Sequence, residues 1–513
     1  MNKVKNTLNR VSSYAYRKCA TLRRRIVNRE KYKSIDFFID NLRISQVELN
    51  SKGKKIHDKP ITEICTLDSV YTSFYFPKGC ACLVSDIVTA RKAIEHGALL
   101  LITSEDYAEF PCMICDDPLG AYADMCLYFR DLKKDMPITA ICGSIGKTTI
   151  KNMVGEVYKM KYITSYTQSN VNTRMAVGFS VQHIPDKAEI MIQEIHEGTP
   201  NITQYVSRML HPAVFIITPI DLSHFQNFGS KQKIEEEICS VTKYMSDGSN
   251  VIVNVDDFSR FDLLDRMKIT TISTLSEDAD FYSKNVVVGN EGLSFSIVER
   301  NTQIACEVRL TNIFAPHNVI CALYAFAAGV ISGIEPKDIV KGLGNYHTSG
   351  VRQNVFRTKD NVLIYADCYN AIGKSMKSAI EAADAIPNMG RKIAVLGDVA
   401  EVGSESGEMH KAIIEQVNSS SFDCLFTIGD ELKKALDKVD TRDSLLVKSA
   451  NSLSEMNTFI KDVVKPDDLV LFKASHSSNL SQCIKDIWPK EYIIFIKPAY
   501  DEYSSWVKNS MWF

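Results

Sequence analysis

The 513-residue sequence lacks any apolar run near the roughly 18 residues that a membrane helix needs, which excludes an ordinary spanning helix. It also lacks charge imbalance. Its 60 Lys and Arg against 62 Asp and Glu leave a net charge of −2, which excludes a nucleic-acid partner recruited by a globally basic surface. No second C-x-x-C motif or histidine pair stands beside Cys80/Cys82 or Cys112/Cys115, so neither pair completes a four-ligand zinc set. These thiols read instead as buried structural residues. The 14 cysteines follow no repeating pattern and are expected to be reduced in a cytoplasm. Acidic residues are nearly absent from positions 1–34, where Lys3, Lys5, Arg10, Arg17, Lys18, Arg23, Arg24, Arg25, Arg29, Lys31 and Lys33 face only Glu30. With no apolar core to that segment it is not a signal peptide. It reads as a solvated basic extension, with peripheral contact to an anionic membrane surface as the alternative.

What is present is a globular composition, 45% hydrophobic and 24% charged, long enough for about three domains at ~150 residues each. Textural changes place the boundaries at 1–34, 35–135, 136–347 and 348–513. The second segment mixes short strands with a helix, "DIVTARKAIEHGA", which Gly97 is suited to stop. After Pro137 the apolar run "ITAIC" ends at Gly143, and Ile150, Met153, Val154, Val157 and Tyr158 then follow helical spacing. The order is strand, glycine turn, helix. Further runs, "EIMIQEI", "AVFIITPI" and "NVIVNVDD", alternate with helical segments such as "KQKIEEEICSVTKYM". A second series, "VLIYAD", "KIAVLGD", "CLFTIGD" and "DLVLFKAS", does the same beyond residue 348. The alternation predicts an α/β protein with mostly parallel sheets.

The glycine turn is "ICGSIGKTTI", residues 141–150. Ile141 occupies the first glycine position of the common G-x-x-x-x-G-K-[ST] phosphate loop, so the loop is an abbreviated one. Gly143, Gly146, Lys147, Thr148 and Thr149 still supply flexible backbone, an ammonium and hydroxyls at a helix start, which is what a nucleotide phosphate requires. A plain glycine turn before a helix is the alternative.

The string G-x-x-G-K-T-T, followed in order by other motifs, resembles the Mur ligase family of ATP-dependent ligases. "TQSNVNT" is similar to its N-x-N segment, giving Asn170 and Asn172 as substrate-binding residues. Glu194 ends a strand where the family has a magnesium ligand, and His224 in "ITPIDLSHFQNFGS" matches its magnesium-binding histidine. "VNVDD" resembles the N-x-D-D that follows, and "APHNV" supplies His317 and Asn318 for adenine. Later matches are Arg352, "DCYNAIGKSM" with Asp367, Tyr369 and Asn370, "LGDVAEVG" with His410, and Lys473 in "FKASHSS". The D-x-Y-N-A and L-G-D-x-x-E-x-G strings are closest to the dipeptide-adding branch.

The resemblance implies three domains: an acceptor-binding α/β domain at 35–135, a P-loop ATPase domain at 136–347 and a Rossmann-like ligase domain at 348–513. It implies ATP and Mg2+ as cofactors, and small-molecule substrates for an expected monomer. ATP would phosphorylate a carboxylate, and an amino acid or dipeptide amine would attack the acyl phosphate. Lys147 would bridge phosphates, Thr148, Glu194 and His224 would hold metal, and Asp367 would contact ribose. Arg352 would meet phosphates as the last domain closes, Asn370 would bind substrate, and Lys147, His224 and Lys473 would be catalytic.

Departures from the family pattern are also present. Ile238 stands where the family carries a carbamylated lysine, leaving Glu236 or Glu237 as stand-in carboxylates. Ala366, Ile372, Gly373, His476, Cys321 and His196 are further changes. "CTLDSVYTSFYFPKG" lacks the arginine of the family's uridine-nucleotide segment. Two other functions therefore stay open: a paralogue with a non-peptidoglycan acceptor, and a non-catalytic ATP-binding regulator. A P-loop kinase or GTPase would leave the H-N-V and D-C-Y-N segments without a use.

Overall fold

The computed structural model describes residues 33–44, 46–66, 78–167, 172–220, 225–289, 291–348, 351–368, 371, 373–399, 405–475, 478–489 and 492–494. The basic segment at 1–32 lies outside them, as do Asn170, His224, Tyr369, Asn370, Ile372 and His476. The chain forms two compact units, one within Met1–Ile272 and Ala327–Ile334, the other within Ser273–Phe326 and Glu335–Phe513. Each is α/β, as the alternating pattern predicts. No helix among the described residues is long and apolar enough to cross a membrane.

The first unit carries a five-stranded sheet in the order Val47–Leu49, Cys112–Cys115, Leu100–Thr103, Ala81–Leu83, Ile64–Thr66. Only the first pairing is antiparallel. The expected helix is Ile87–His96: Asp86 and Thr89 form a capping box, and Gly97 ends the helix at φ 106°, where other residues are strained. Cys80, Cys82, Cys112 and Cys115 are all buried, and Cys65 Sγ donates to Cys80 Sγ at 3.2 Å. All four pack within apolar clusters of this unit.

The same unit contains six parallel strands in the order Lys268–Ser273, Asn250–Asn254, Val214–Ile217, Ile138–Cys142, Ile190–Glu194, Thr164–Tyr166. The first of them in sequence, Ile138–Cys142, lies between strands that lead away on opposite sides. Its carboxyl end is thus a topological switch point, where open parallel sheets leave a crevice for ligands. Helices Pro118–Asp131 and Ile202–Leu210 are joined by a buried ion pair, with Arg208 Nε and Nη2 donating to Asp124 at 2.7 and 2.6 Å. Asp124 also accepts from the Arg43 backbone at 2.7 Å, so both oxygens of this buried carboxylate are hydrogen-bonded.

The second unit is built on a seven-stranded sheet in the order Leu446–Ala450, Cys424–Ile428, Lys392–Gly397, Leu469–Lys473, Leu363–Asp367, Asn354–Thr358, Ile493–Ile494. The first five strands run parallel, and the last two pairings are antiparallel. Apolar cores cover both faces, Leu396, Leu425 and Leu471 on one, Val395, Phe426 and Phe472 on the other. That explains strands written as unbroken apolar runs rather than alternations. An antiparallel meander, Phe281–Gly289, Gly292–Glu299 and Ile304–Thr311, belongs to this unit as well.

Candidate functional site

The strand Ile138–Cys142 is buried at every position and delivers the glycine turn to the switch point. Gly143 adopts φ 139°, and a Cβ there would lie 2.4 Å from Thr218 Oγ1 and 2.5 Å from Thr218 O. Glycine is therefore required by both conformation and space. The Ser144 and Ile145 amides donate to Pro219 O at 3.1 and 3.0 Å, which fixes the loop against the neighbouring strand's exit. Gly146, at φ 81°, starts the helix Lys147–Tyr158 with no side-chain cap. The helix's first N–H groups and its positive dipole end are thereby left for an anion.

Four charged side chains converge here. Lys147 Nζ lies 3.0 and 2.9 Å from Glu197 Oε1 and Oε2 and also donates to Gly143 O. Lys151 Nζ lies 3.4 Å from Glu194 Oε2, with both side chains almost wholly enclosed. Thr148 Oγ1 donates to Glu194 at 3.1 and 3.3 Å, and Asn172 Nδ2 donates to Glu194 Oε1 at 2.8 Å. Burial works against the Lys147 ammonium, but Glu197 beside it holds its pKa above the ordinary value. Burial, reinforced by the Glu197 charge, pushes the Cys142 thiol well up, so it stays protonated. Of the residues expected from sequence, Lys147, Thr148, Asn172 and Glu194 are thus brought together, with Gly143, Gly146 and Thr149 in the same loop and helix.

Sequence reasoning missed Lys151 and Glu197. Lys151 follows Lys147 by one helical turn, so a search for paired charges at helical spacing would have marked it, whereas Glu197 lies in the loop beyond the strand Ile190–Glu194 and carried no such local signal. The stand-in carboxylates fare differently from each other. Glu237 is buried and accepts from Asn201 N at 2.7 Å and from Thr203 N and Oγ1 at 2.9 and 2.8 Å, which commits it to the start of helix Ile202–Leu210. Glu236 is exposed, and Ile238 is fully enclosed in the apolar core. Two open depressions of about 380 and 390 Å³ adjoin Asn201 and Gln204, one walled by Arg174 and Tyr205, the other by Lys233, Glu236 and Lys243. Neither includes the glycine turn, whose place at the switch point carries more weight than the size of a hollow.

In the second unit, His317 precedes the helix Asn318–Ile331. Gln353, held at φ 50°, ties its residues together. Gln353 Nε2 donates to His317 Nε2 at 2.7 Å, Asn318 Nδ2 donates to Gln353 Oε1 at 3.0 Å, and the Gln353 amide donates to Asp367 Oδ1 at 3.3 Å. His317 Nδ1 and Asn318 Oδ1 are buried with no hydrogen-bond partner. Such orphans mark a place for an outside donor or acceptor. Burial lowers the His317 pKa, against the pull of Asp367. Asp367 also pairs with the enclosed Lys473 at 2.9 Å, and Arg352 lies half-buried next to Gln353. His410 is a packing residue: its Nε2 accepts from Val399 N at 3.0 Å, and its Nδ1 donates to Ser406 O at 2.7 Å. Gln353 carried no motif and was not legible from sequence.

Residues 141–329 match the model of the Mur ligase middle domain, and residues 351–476 match that of the Mur ligase glutamate ligase domain. The UDP-N-acetylmuramoyl-tripeptide–D-alanyl-D-alanine ligase of Bacillus subtilis (strain 168) is 28% identical over 70% of this chain and 78% of its own length. Its Escherichia coli (strain K12) counterpart is 24% identical over 67% and 76%. Among solved structures, MurF from Acinetobacter baumannii superposes with a TM-score of 0.75 at 21% identity, covering 89% of this chain and 98% of that one. MurF from Thermotoga maritima in complex with ADP gives 0.68 at 20%, covering 81% and 95%.

Proposed function

The chain belongs to the Mur ligase family, as a MurF-like, ATP-dependent ligase that forms amide bonds, and from that premise we propose that it joins an amino acid or dipeptide amine to a carboxylated small-molecule precursor. The observation that carries this reading is the uncapped start of helix Lys147–Tyr158, with Lys147, Thr148 and Glu194 gathered at it. ATP transfers its γ-phosphoryl group to the precursor's carboxylate and leaves as ADP, and the amine then displaces phosphate from the acyl phosphate to give the amide.

Lys147 and the first amides of the helix neutralise and orient phosphate oxygens, which is most of what a protein contributes to phosphoryl transfer. Glu194 and the Thr148 hydroxyl are hard oxygen donors 3.1 Å apart and fit a magnesium ion that keeps most of its waters. An Mg2+ ion held there would supply neutralisation of phosphate charge. Asn172 and Lys151 hold the Glu194 carboxylate to that position. The unpartnered Asn318 Oδ1 and His317 Nδ1 suit the donor and acceptor edge of adenine, and Asp367 suits a ribose hydroxyl. Arg352 is assigned to phosphate, His224 to a second metal, Asn170 and Asn370 to substrate, and Lys473 to the reacting groups, on the family motif. The named relatives act on UDP-N-acetylmuramoyl-tripeptide and D-alanyl-D-alanine, and we extend to this chain the dipeptide amine and a carboxylated acceptor. Arg174, at the wall of an open depression, suits such a carboxylate.

The enclosed Ile238 and the committed Glu237 favour a second reading, a paralogue whose acceptor differs or a regulator that binds ATP without turnover. Phosphate release with ATP, Mg2+ and a panel of acceptors and amines separates them. Ligase action predicts release that requires both amine and acceptor. ATP binding with no amine-dependent release under any pairing would reject it.

A further inference from the structure

Glu197 places both carboxylate oxygens within 3.0 Å of the Lys147 ammonium and is itself 1% exposed. Lys147 directs its remaining reach back to Gly143 O, within its own loop. The neighbouring pair, Lys151 and Glu194, is equally enclosed. Two cations are therefore matched by two anions among the described side chains, and only the amide dipole of the helix start is left to draw in a polyphosphate. That differs from what the turn's sequence suggests, in which Lys147 waits for phosphate.

An incoming triphosphate must take Lys147 away from Glu197. The displaced carboxylate then sits unpaired among phosphate oxygens in water-poor surroundings, where like charges repel most strongly. A divalent cation arriving with the nucleotide offsets that repulsion, and the oxygens of Thr148 and Glu194 lie beside the pair to receive it. We propose that Glu197 is a positioning residue that holds Lys147 in the empty loop and thereby makes nucleotide binding depend on a divalent cation. The inference rests on the nucleotide reading of the loop and adds a residue that no motif assigns.

Calorimetry of the full chain with ATP, in excess EDTA and in MgCl2, tests it on the wild type and on Glu197→Gln, which keeps volume and hydrogen bonding but removes the charge. The variant is expected to bind ATP at least about tenfold more tightly than wild type in EDTA, with affinity in MgCl2 nearly unchanged. An unchanged gap between the two conditions overturns the proposal. So does a gap narrowed only by weaker binding in MgCl2, which would make Glu197 a cation ligand, and so does a parallel loss in both, which marks a merely structural role. If Glu197→Gln does not fold, Glu197→Ala must show the same gain in EDTA. Failure of the wild type to bind ATP in MgCl2 sinks the nucleotide site itself, a result distinct from an unchanged gap.

Discussion

The two candidate regions differ in how their buried charges are placed, although each keeps an unpartnered polar atom, Thr218 Oγ1 beside the glycine turn in the first. At the glycine turn of the first unit each charge has a partner, Lys147 with Glu197 and Lys151 with Glu194. In the second unit, Gln353 links His317, Asn318 and Asp367 but leaves two buried atoms unpartnered. The first region must exchange partners to accept a ligand, whereas the second only has to gain them. Ligand binding should accordingly be charge-limited at the first and geometry-limited at the second.

The contrast can be broken at several points. The largest effect is expected from Lys473→Met, which strands Asp367 in an enclosed position and should cost the second unit about 3–5 kcal/mol, read by denaturant unfolding. Lys151→Met should cost clearly less, because Glu194 keeps Thr148 and Asn172 as donors. Equal losses would erase the distinction. Lys147→Met should lower amine-dependent ADP release on the order of 10²–10³-fold, measured on protein shown to be folded because the change also leaves the buried Glu197 without its cation. Asn318→Ala should weaken ATP binding roughly tenfold with and without Mg2+ alike, a geometric loss with no charge component. A loss confined to one condition would merge the two regions.

The smallest effect concerns pH. Burial holds His317 and His347 in the second unit, and His211 in the first, below the ordinary imidazole pKa. Below about pH 6.5 the unfolded chain binds protons that these folded imidazoles refuse, so stability is full above that value and falls as pH drops below it. Tm should decline from pH 7 to pH 5, and His317→Asn should flatten the decline. A Tm that rises on acidification would reverse the sign and reject the burial account.

How much of this was legible follows from where each signal lives. The strand, turn and helix around Gly143 were readable because they are local: an apolar run, two glycines and a helical spacing all fall within residues 138–158. Gly97 as a helix stop was readable for the same reason. Glu197 was not, because its partner is 50 residues away and only the parallel pairing of Ile190–Glu194 with Ile138–Cys142 brings them together. Gln353 depends on a left-handed backbone that no glycine or asparagine announced. The sequence left Glu236 and Glu237 undecided, since a carboxylate that caps a distant helix, as Glu237 does, looks in sequence like one that faces solvent. The meander at Phe281–Thr311 was passed over because its bulge between Lys284 and Val287 interrupts the period-two pattern by which strands are found.

Calorimetric titration of ATP with MgCl2 into the folded chain, beside Lys147→Met, tests the central claim most directly. The account predicts a single saturable site in the wild type that is lost or greatly weakened in the variant. No heat of binding from well-folded wild-type protein, or equal affinity in both, would contradict it.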